Sequence, residues 1–164
     1  MINKKEKNKE MRKGFDYYIF IDYSENLIGY NIIKKENLSV LLPKISKFRH
    51  YKDSQKRKIY LSHIKKTIQR EGIRNYFEKI KIVNLRKNVD LFVDVLEFIK
   101  KHERCIIFIS VDDFQYKTFM KLVHVVDGDK TRVIKESQLK RGSIEYKLSL
   151  VLDNLLNIER RKNA

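Results

Sequence analysis

The most continuous apolar run of the chain, CIIFISV from Cys105 to Val111, is the feature that most constrains the fold. It is far shorter than the roughly 18 residues that a membrane-spanning helix needs. Continuous apolar character over so few residues is typical of a strand that is covered on both faces of a sheet. The preceding segment, Val89 to Lys101, has its polar residues in one narrow stripe, which is typical of a helix that is covered on most sides. The chain is therefore predicted to form a central strand between layers of helix.

A second buried strand is predicted near the start of the chain, at Tyr17 to Asp22, because YYIFID is rich in aromatic and β-branched residues. Turn-forming residues follow, and Leu27 to Ile33 is predicted to be the returning strand of a hairpin, with Gly29 inside it. Leu38 to Leu42 is expected to be the third strand of this antiparallel meander.

Helical and strand patterns alternate in the rest of the chain, which predicts an α/β protein with a mixed sheet: a three-stranded antiparallel meander plus parallel strands, flanked by helices. We expect one domain over 15–164, preceded by a basic flexible arm at 1–14 and carrying a basic helical insertion at about 44–75. The remaining predicted elements are a long basic helix at 51–71, a strand at 79–83, a helix at 114–126, a strand at 131–136 and a helix at 143–161.

Positive charge is in large excess, with 37 Lys and Arg against 21 Asp and Glu, a net charge of +16. Clustered Lys and Arg residues that face rows of phosphates are typical of nucleic-acid-binding proteins. We therefore expect RNA or DNA as a partner. The candidate nucleic-acid-binding residues are Lys47, Arg49, Lys52, Lys56, Arg57, Lys58, Lys65, Lys66, Arg70, Lys140 and Arg141.

Other classes of protein are disfavoured. The single cysteine, Cys105, cannot form an internal disulfide bond, and the charged N-terminus lacks the apolar segment of a signal peptide. We expect a cytoplasmic protein that makes no membrane contact, with a homodimer as an open alternative.

Acidic residues stand where the predicted strands end. Asp22 closes the first strand, Asp112 and Asp113 follow the central strand, and Glu145 and Asp153 lie on the last helix. If the first and central strands are neighbours, their acids meet at one edge of the sheet, and the last helix can bring a third acid across. Such a cluster is costly unless divalent cations neutralise it. Mg²⁺ and Mn²⁺ prefer oxygen ligands, and two such ions about 4 Å apart can activate water for phosphodiester cleavage.

The segment IFIDYSENLIGY and the element order β-β-β-α-β-α-β-α resemble the RNase H-like superfamily of nucleases, resolvases and transposases, over about residues 15–160. That superfamily places an Asp on its first strand, before a hairpin with a small residue and a glycine. Asp22, Ser24 and Gly29 match this pattern. A second carboxylate at the end of the central strand corresponds to Asp112 or Asp113 in ISVDD, and a third on the last helix corresponds to Asp153 in SLVLDNLL, with Glu145 as its rival.

The resemblance implies a metal-dependent nuclease that cleaves phosphodiester bonds in RNA or structured DNA. Asp22, Asp112 and Asp153 would bind Mg²⁺ or Mn²⁺, with Asp113 and Glu145 as further candidate catalytic residues. The alternative is a non-catalytic nucleic-acid-binding module of the same fold. In that case Asp22 opens a turn and Asp112 or Asp113 caps the next helix, as acids that follow strands often do.

Overall fold

A computed structural model of the chain describes residues 14–128 and 130–162 and contains a five-stranded mixed sheet in the order β3-β2-β1-β4-β5. β2 runs antiparallel to both β1 and β3, whereas β4 runs parallel to both β1 and β5. The expected fold class, a mixed sheet of an antiparallel meander plus parallel strands flanked by helices, is therefore confirmed. The strands are β1 (Tyr17–Ser24), β2 (Leu27–Lys34), β3 (Lys79–Asn84), β4 (Cys105–Ile109) and β5 (Arg132–Lys135).

Helices cover both faces of the sheet. The long C-terminal helix packs on one face, against β1 and β2. The two helices that precede and follow β4 in the chain cover the other face. All residues of β4 are buried, as the apolar run predicts. The helices are α1 (Leu38–Leu41), α2 (Arg57–Arg70), α3 (Asn88–Lys101), α4 (Asp113–Asp127) and α5 (Ile144–Lys162).

The expected third strand at Leu38 to Leu42 is wrong, because the chain from 35 to 45 is helical. Leu38, Leu41 and Ile45 recur at helical spacing, and the last two are buried against the α5 face of the sheet. Pro43 stands at the start of a 3-10 turn, where its missing N–H costs nothing. The third strand of the meander is instead β3, which pairs with β2 at the edge of the sheet.

The basic helix is shorter than the sequence predicts, because α2 begins at Arg57 rather than near Tyr51. Lys56 adopts a left-handed conformation with a φ of 52°, which interrupts the helix, and Tyr51–Asp53 forms a separate 3-10 turn. The predicted basic arm lies, but for its last residue, outside the described residues. No helix in the described part of the chain is long and apolar enough to span a membrane.

Gly29 in β2 pairs with Asp22 in β1. Because Gly29 has no side chain, helix α5 can lie close to β2 at this point. A Cβ atom at Gly29 would lie 3.0 Å from Ile82 Cγ1, 3.1 Å from the Lys81 carbonyl oxygen and 3.3 Å from Leu152 Cδ1. The side chain of a larger residue would therefore push against both the neighbouring strand and α5.

We expect Gly29→Val to lower the free energy of unfolding by about 1–3 kcal/mol, because overpacking a dense core forces side chains and backbone to shift. Urea unfolding followed by circular dichroism measures this difference. Gly14→Val is the matched control, because a Cβ at Gly14 meets no atom within 4 Å. Equal destabilisation by the two variants would contradict the close approach at Gly29.

Candidate functional site

Three carboxylates from distant parts of the chain meet at the edge of the sheet where the parallel strands end. Asp22 lies near the end of β1, Glu136 follows β5 directly, and Asp153 lies on α5. Both aspartates are 7% exposed, and the charges of Glu136 and Asp153 act on Asp22. The convergence of acids at one sheet edge thus involves two of the sequence-predicted residues and one that was not predicted.

The register of the parallel strands places Asp22 and Glu136 at the same level. Ile21 pairs with Ile109, and Ile109 pairs with Lys135. The residues that come next are therefore Asp22 in β1, Ser110 directly after β4 and Glu136 directly after β5. The Ser110 hydroxyl lies near both carboxylates and, with one proton to donate, favours the ionised form of either one.

Burial and mutual repulsion make ionisation of this group costly. Burial, and then the charges of Glu136 and Asp153, raise the pKa of Asp22 well above its usual value, although the Tyr23 N–H and the Ser110 hydroxyl lower it. Burial, and then the charge of Asp153, raise the pKa of Glu136 to about 7, although Ser110 and Ser149 hydrogen bonds lower it. A cation or a shared proton would relieve this repulsion.

Asp153 joins the carboxylates to the basic segment that precedes α2. Its Oδ2 accepts a 2.8 Å hydrogen bond from the main-chain N–H of Tyr51, and its Oδ1 lies 3.6 Å from His50 Nε2. Burial raises the pKa of Asp153, whereas the Tyr51 N–H and the charges of His50 and Lys52 lower it. A phosphate that approached the carboxylates would therefore meet this basic segment.

The acids that follow the central strand take other roles. Asp112 is exposed and caps α4, because its Oδ1 accepts a 2.7 Å hydrogen bond from the main-chain N–H of Gln115. Asp113 forms a 2.9 Å ion pair with Lys135, and the Lys135 ammonium lowers the pKa of the Asp113 carboxyl. Ser110 occupies the level of the sheet at which Asp112 was expected.

Glu145 lies in the first turn of α5, eight residues before Asp153. The charges that raise the pKa of Asp22 come from Glu136 and Asp153. Of the two rivals on this helix, Asp153 is thus the one that lies with Asp22. The sequence signal for Glu136 was its position at the end of the predicted strand 131–136, on the same edge as Asp22.

The donor set suits Mg²⁺ or Mn²⁺ in chemical type, because it consists of carboxylate and hydroxyl oxygens. Among the described residues, however, no group of three or more His, Cys, Asp or Glu side chains is arranged so that it could hold a metal ion. Mg²⁺ is commonly held by one or two carboxylates together with substrate phosphates and water. A cation at Asp22, Glu136 and Asp153 would therefore need a bound phosphate to supply ligands that the protein does not.

All of the basic residues predicted to bind nucleic acid are exposed. Those nearest the carboxylates lie in the segment 49–58, which is tied to α5 through Asp153 and through a hydrogen bond from Asn154 Nδ2 to the Arg49 carbonyl oxygen. Arg141 reaches the same segment through a 2.8 Å ion pair with Asp53. Cationic side chains thus lie on one side of the acidic group.

Comparisons with known proteins add little to this geometry. No family model and no curated protein matches the chain. Among solved structures, the chain is similar to one described as a complex of PCNA with RNase HII from Archaeoglobus fulgidus, with 14% sequence identity, a TM-score of 0.49, and coverage of 90% of this chain and 72% of the other. A TM-score below 0.5 at this identity supports no inference about activity, substrate or partner.

Proposed function

We propose that the protein is a divalent-cation-dependent nuclease that cleaves phosphodiester bonds in RNA or structured DNA. The observation that carries this proposal is the convergence of Asp22, Glu136 and Asp153 at one sheet edge of a chain with a net charge of +16. Buried carboxylates that repel each other are costly to maintain for stability alone. They are useful where a cation is to be bound beside a phosphate.

The division of charge in the molecule favours a polyanionic substrate. Exposed Lys and Arg side chains of the segment 49–58 would attract and hold the phosphate backbone. The carboxylates would hold Mg²⁺ or Mn²⁺ jointly with one phosphate, and the cation, when bound, would lower the pKa of an attacking water and stabilise the leaving oxygen. Ser110, which lies between the two segments in the sheet register, would donate its hydroxyl proton to one of the two carboxylates at a time.

A second candidate function is nucleic-acid binding without catalysis. It is favoured by the lack, within the described ranges, of a side-chain group that could hold a metal ion. It is also favoured by the structural contacts of Asp153 with Tyr51 and His50. In that case binding would weaken steeply with salt and would not depend on divalent cations.

The two functions are separated by incubating the purified chain with end-labelled single- and double-stranded RNA and DNA, in Mg²⁺, in Mn²⁺ and in EDTA. The nuclease proposal predicts cleavage of at least one substrate in a divalent cation and none in EDTA. Filter binding over 50–300 mM salt, in EDTA, measures affinity independently. Tight, salt-sensitive binding without cleavage under any of these conditions would favour the non-catalytic module.

A further inference from the structure

Three arginines surround the ring of Tyr51, the residue whose main-chain N–H donates to Asp153. The guanidinium carbons of Arg57, Arg160 and Arg161 lie 5.4, 5.6 and 5.6 Å from the ring centroid. Tyr51 is 5% exposed, and its hydroxyl accepts hydrogen bonds from Arg161 Nε at 3.0 Å and Nη2 at 2.6 Å. One buried tyrosine thus contacts the carboxylate group through its main chain and three cations through its side chain.

The positive charge of this cluster is only partly balanced by neighbouring groups. Arg160 Nη1 lies 3.3 Å from the carboxylate of Glu25, whose side chain is 70% exposed, and Arg57 Nη2 donates to the main-chain carbonyl of Lys52. Arg160 Nε is buried and has no hydrogen-bond partner among the described residues. Arg160 Nη2 donates to Asn157 Oδ1, so Arg160 contributes its charge to the cluster, and a phosphate would contact the exposed Arg57 and Arg161.

We propose that Arg57, Arg160 and Arg161 form a phosphate-binding site around Tyr51. The site would hold a phosphate of the polynucleotide that neighbours the phosphodiester bond to be cleaved at the carboxylates. The inference rests on the proposed function for its choice of a nucleic-acid ligand. A guanidinium group matches phosphate oxygens with two parallel donors, and packing against an aromatic ring fixes its direction in advance. Arg57 and Arg161 are exposed, so that a phosphate can reach them.

Two kinds of phosphate share this chemistry, an internal diester of the chain and a terminal monoester. The internal diester would place the site along the path of a continuous strand. The terminal monoester would make the site a reader of strand ends. Oligonucleotides with a 5′-phosphate and with a 5′-hydroxyl distinguish the two.

The test compares the double variant Arg57→Gln/Arg161→Gln with the control double variant Arg74→Gln/Arg132→Gln. The control removes the same charge from exposed positions near the starts of β3 and β5. These positions lie at the opposite end of the strands from the carboxylates. Affinity for fluorescent oligonucleotides is measured by anisotropy in EDTA, at several salt concentrations. Because the readout is binding without a cation, it does not depend on whether the protein cleaves its ligand.

We expect the test variant to bind about tenfold or more weakly than the control, and its salt slope to fall by about 1, the value for one lost phosphate contact. The loss will be equal for both oligonucleotides if the site holds an internal phosphate, and confined to the 5′-phosphorylated one if it holds a terminal phosphate. Equal affinities of test and control variants would overturn the site. Arg57→Gln alone, at an exposed helix start, repeats the comparison if the double variant unfolds.

Discussion

Asp22→Asn is expected to slow phosphodiester cleavage by on the order of 100-fold or more, because it removes a buried charge from the place where a cation and a phosphate would meet. Asparagine keeps the size of the side chain and an oxygen that can accept the 2.8 Å hydrogen bond from the Tyr23 N–H. Affinity for the uncleaved oligonucleotide in EDTA should be as tight or tighter, because one negative charge near the phosphates is lost. Single-turnover cleavage rates and EDTA binding curves measure the two effects separately.

Asp112→Asn is the matched control for this substitution. Asn caps helices as well as Asp does, so the variant should keep α4 and the wild-type cleavage rate. A fall in rate as large as that of Asp22→Asn would instead place Asp112 in the reaction, as the sequence suggested. Wild-type cleavage by Asp22→Asn would remove the carboxylate group from the mechanism.

The contrast between Asp112 and Glu136 shows where sequence reasoning loses precision. Asp112 follows a predicted parallel strand and was expected beside Asp22, whereas Glu136 was the last residue of the predicted strand 131–136 and was not named as a site residue. Which acid lies beside Asp22 depends on the register of β1, β4 and β5, and a register is set by packing across strands that are far apart in the chain. Because Ser110 takes the position opposite Asp22, the chain after β4 reaches Asp112 only where it turns into α4.

Elements with strong local patterns were easier to predict. The aromatic and β-branched residues of β1 and the apolar run of β4 allowed both strands to be located, and the narrow polar stripe predicted α3. The short segment around α1 failed because four or five apolar residues fit a strand or a helix equally well. The arginine cluster around Tyr51 could not be foreseen either, since Arg57 and Arg161 are brought together only by the packing of α2 and the preceding turn against α5.

Glu136→Gln is expected to change the pH dependence of stability. The folded protein holds the pKa of Glu136 at about 7, above the ordinary value of 4.5, because of burial and then the charge of Asp153. The protonated side chain therefore stabilises the folded state fully below pH 4.5, and this contribution is lost as the pH rises to about 7 and beyond. Glutamine cannot ionise, so the variant does not lose this contribution over the same range.

The variant and the wild type should therefore unfold at similar temperatures near pH 4.5, and the variant should be more stable by a few kcal/mol at pH 8. For a chain of this size that difference corresponds to a rise in Tm of several degrees, which differential scanning calorimetry measures. Asp113→Asn is the control of opposite sign, because Lys135 lowers the pKa of Asp113 and neutral pH favours its ion pair. Parallel pH profiles for Glu136→Gln and the wild type would mean that Glu136 ionises freely, and the three carboxylates would then not act as one group.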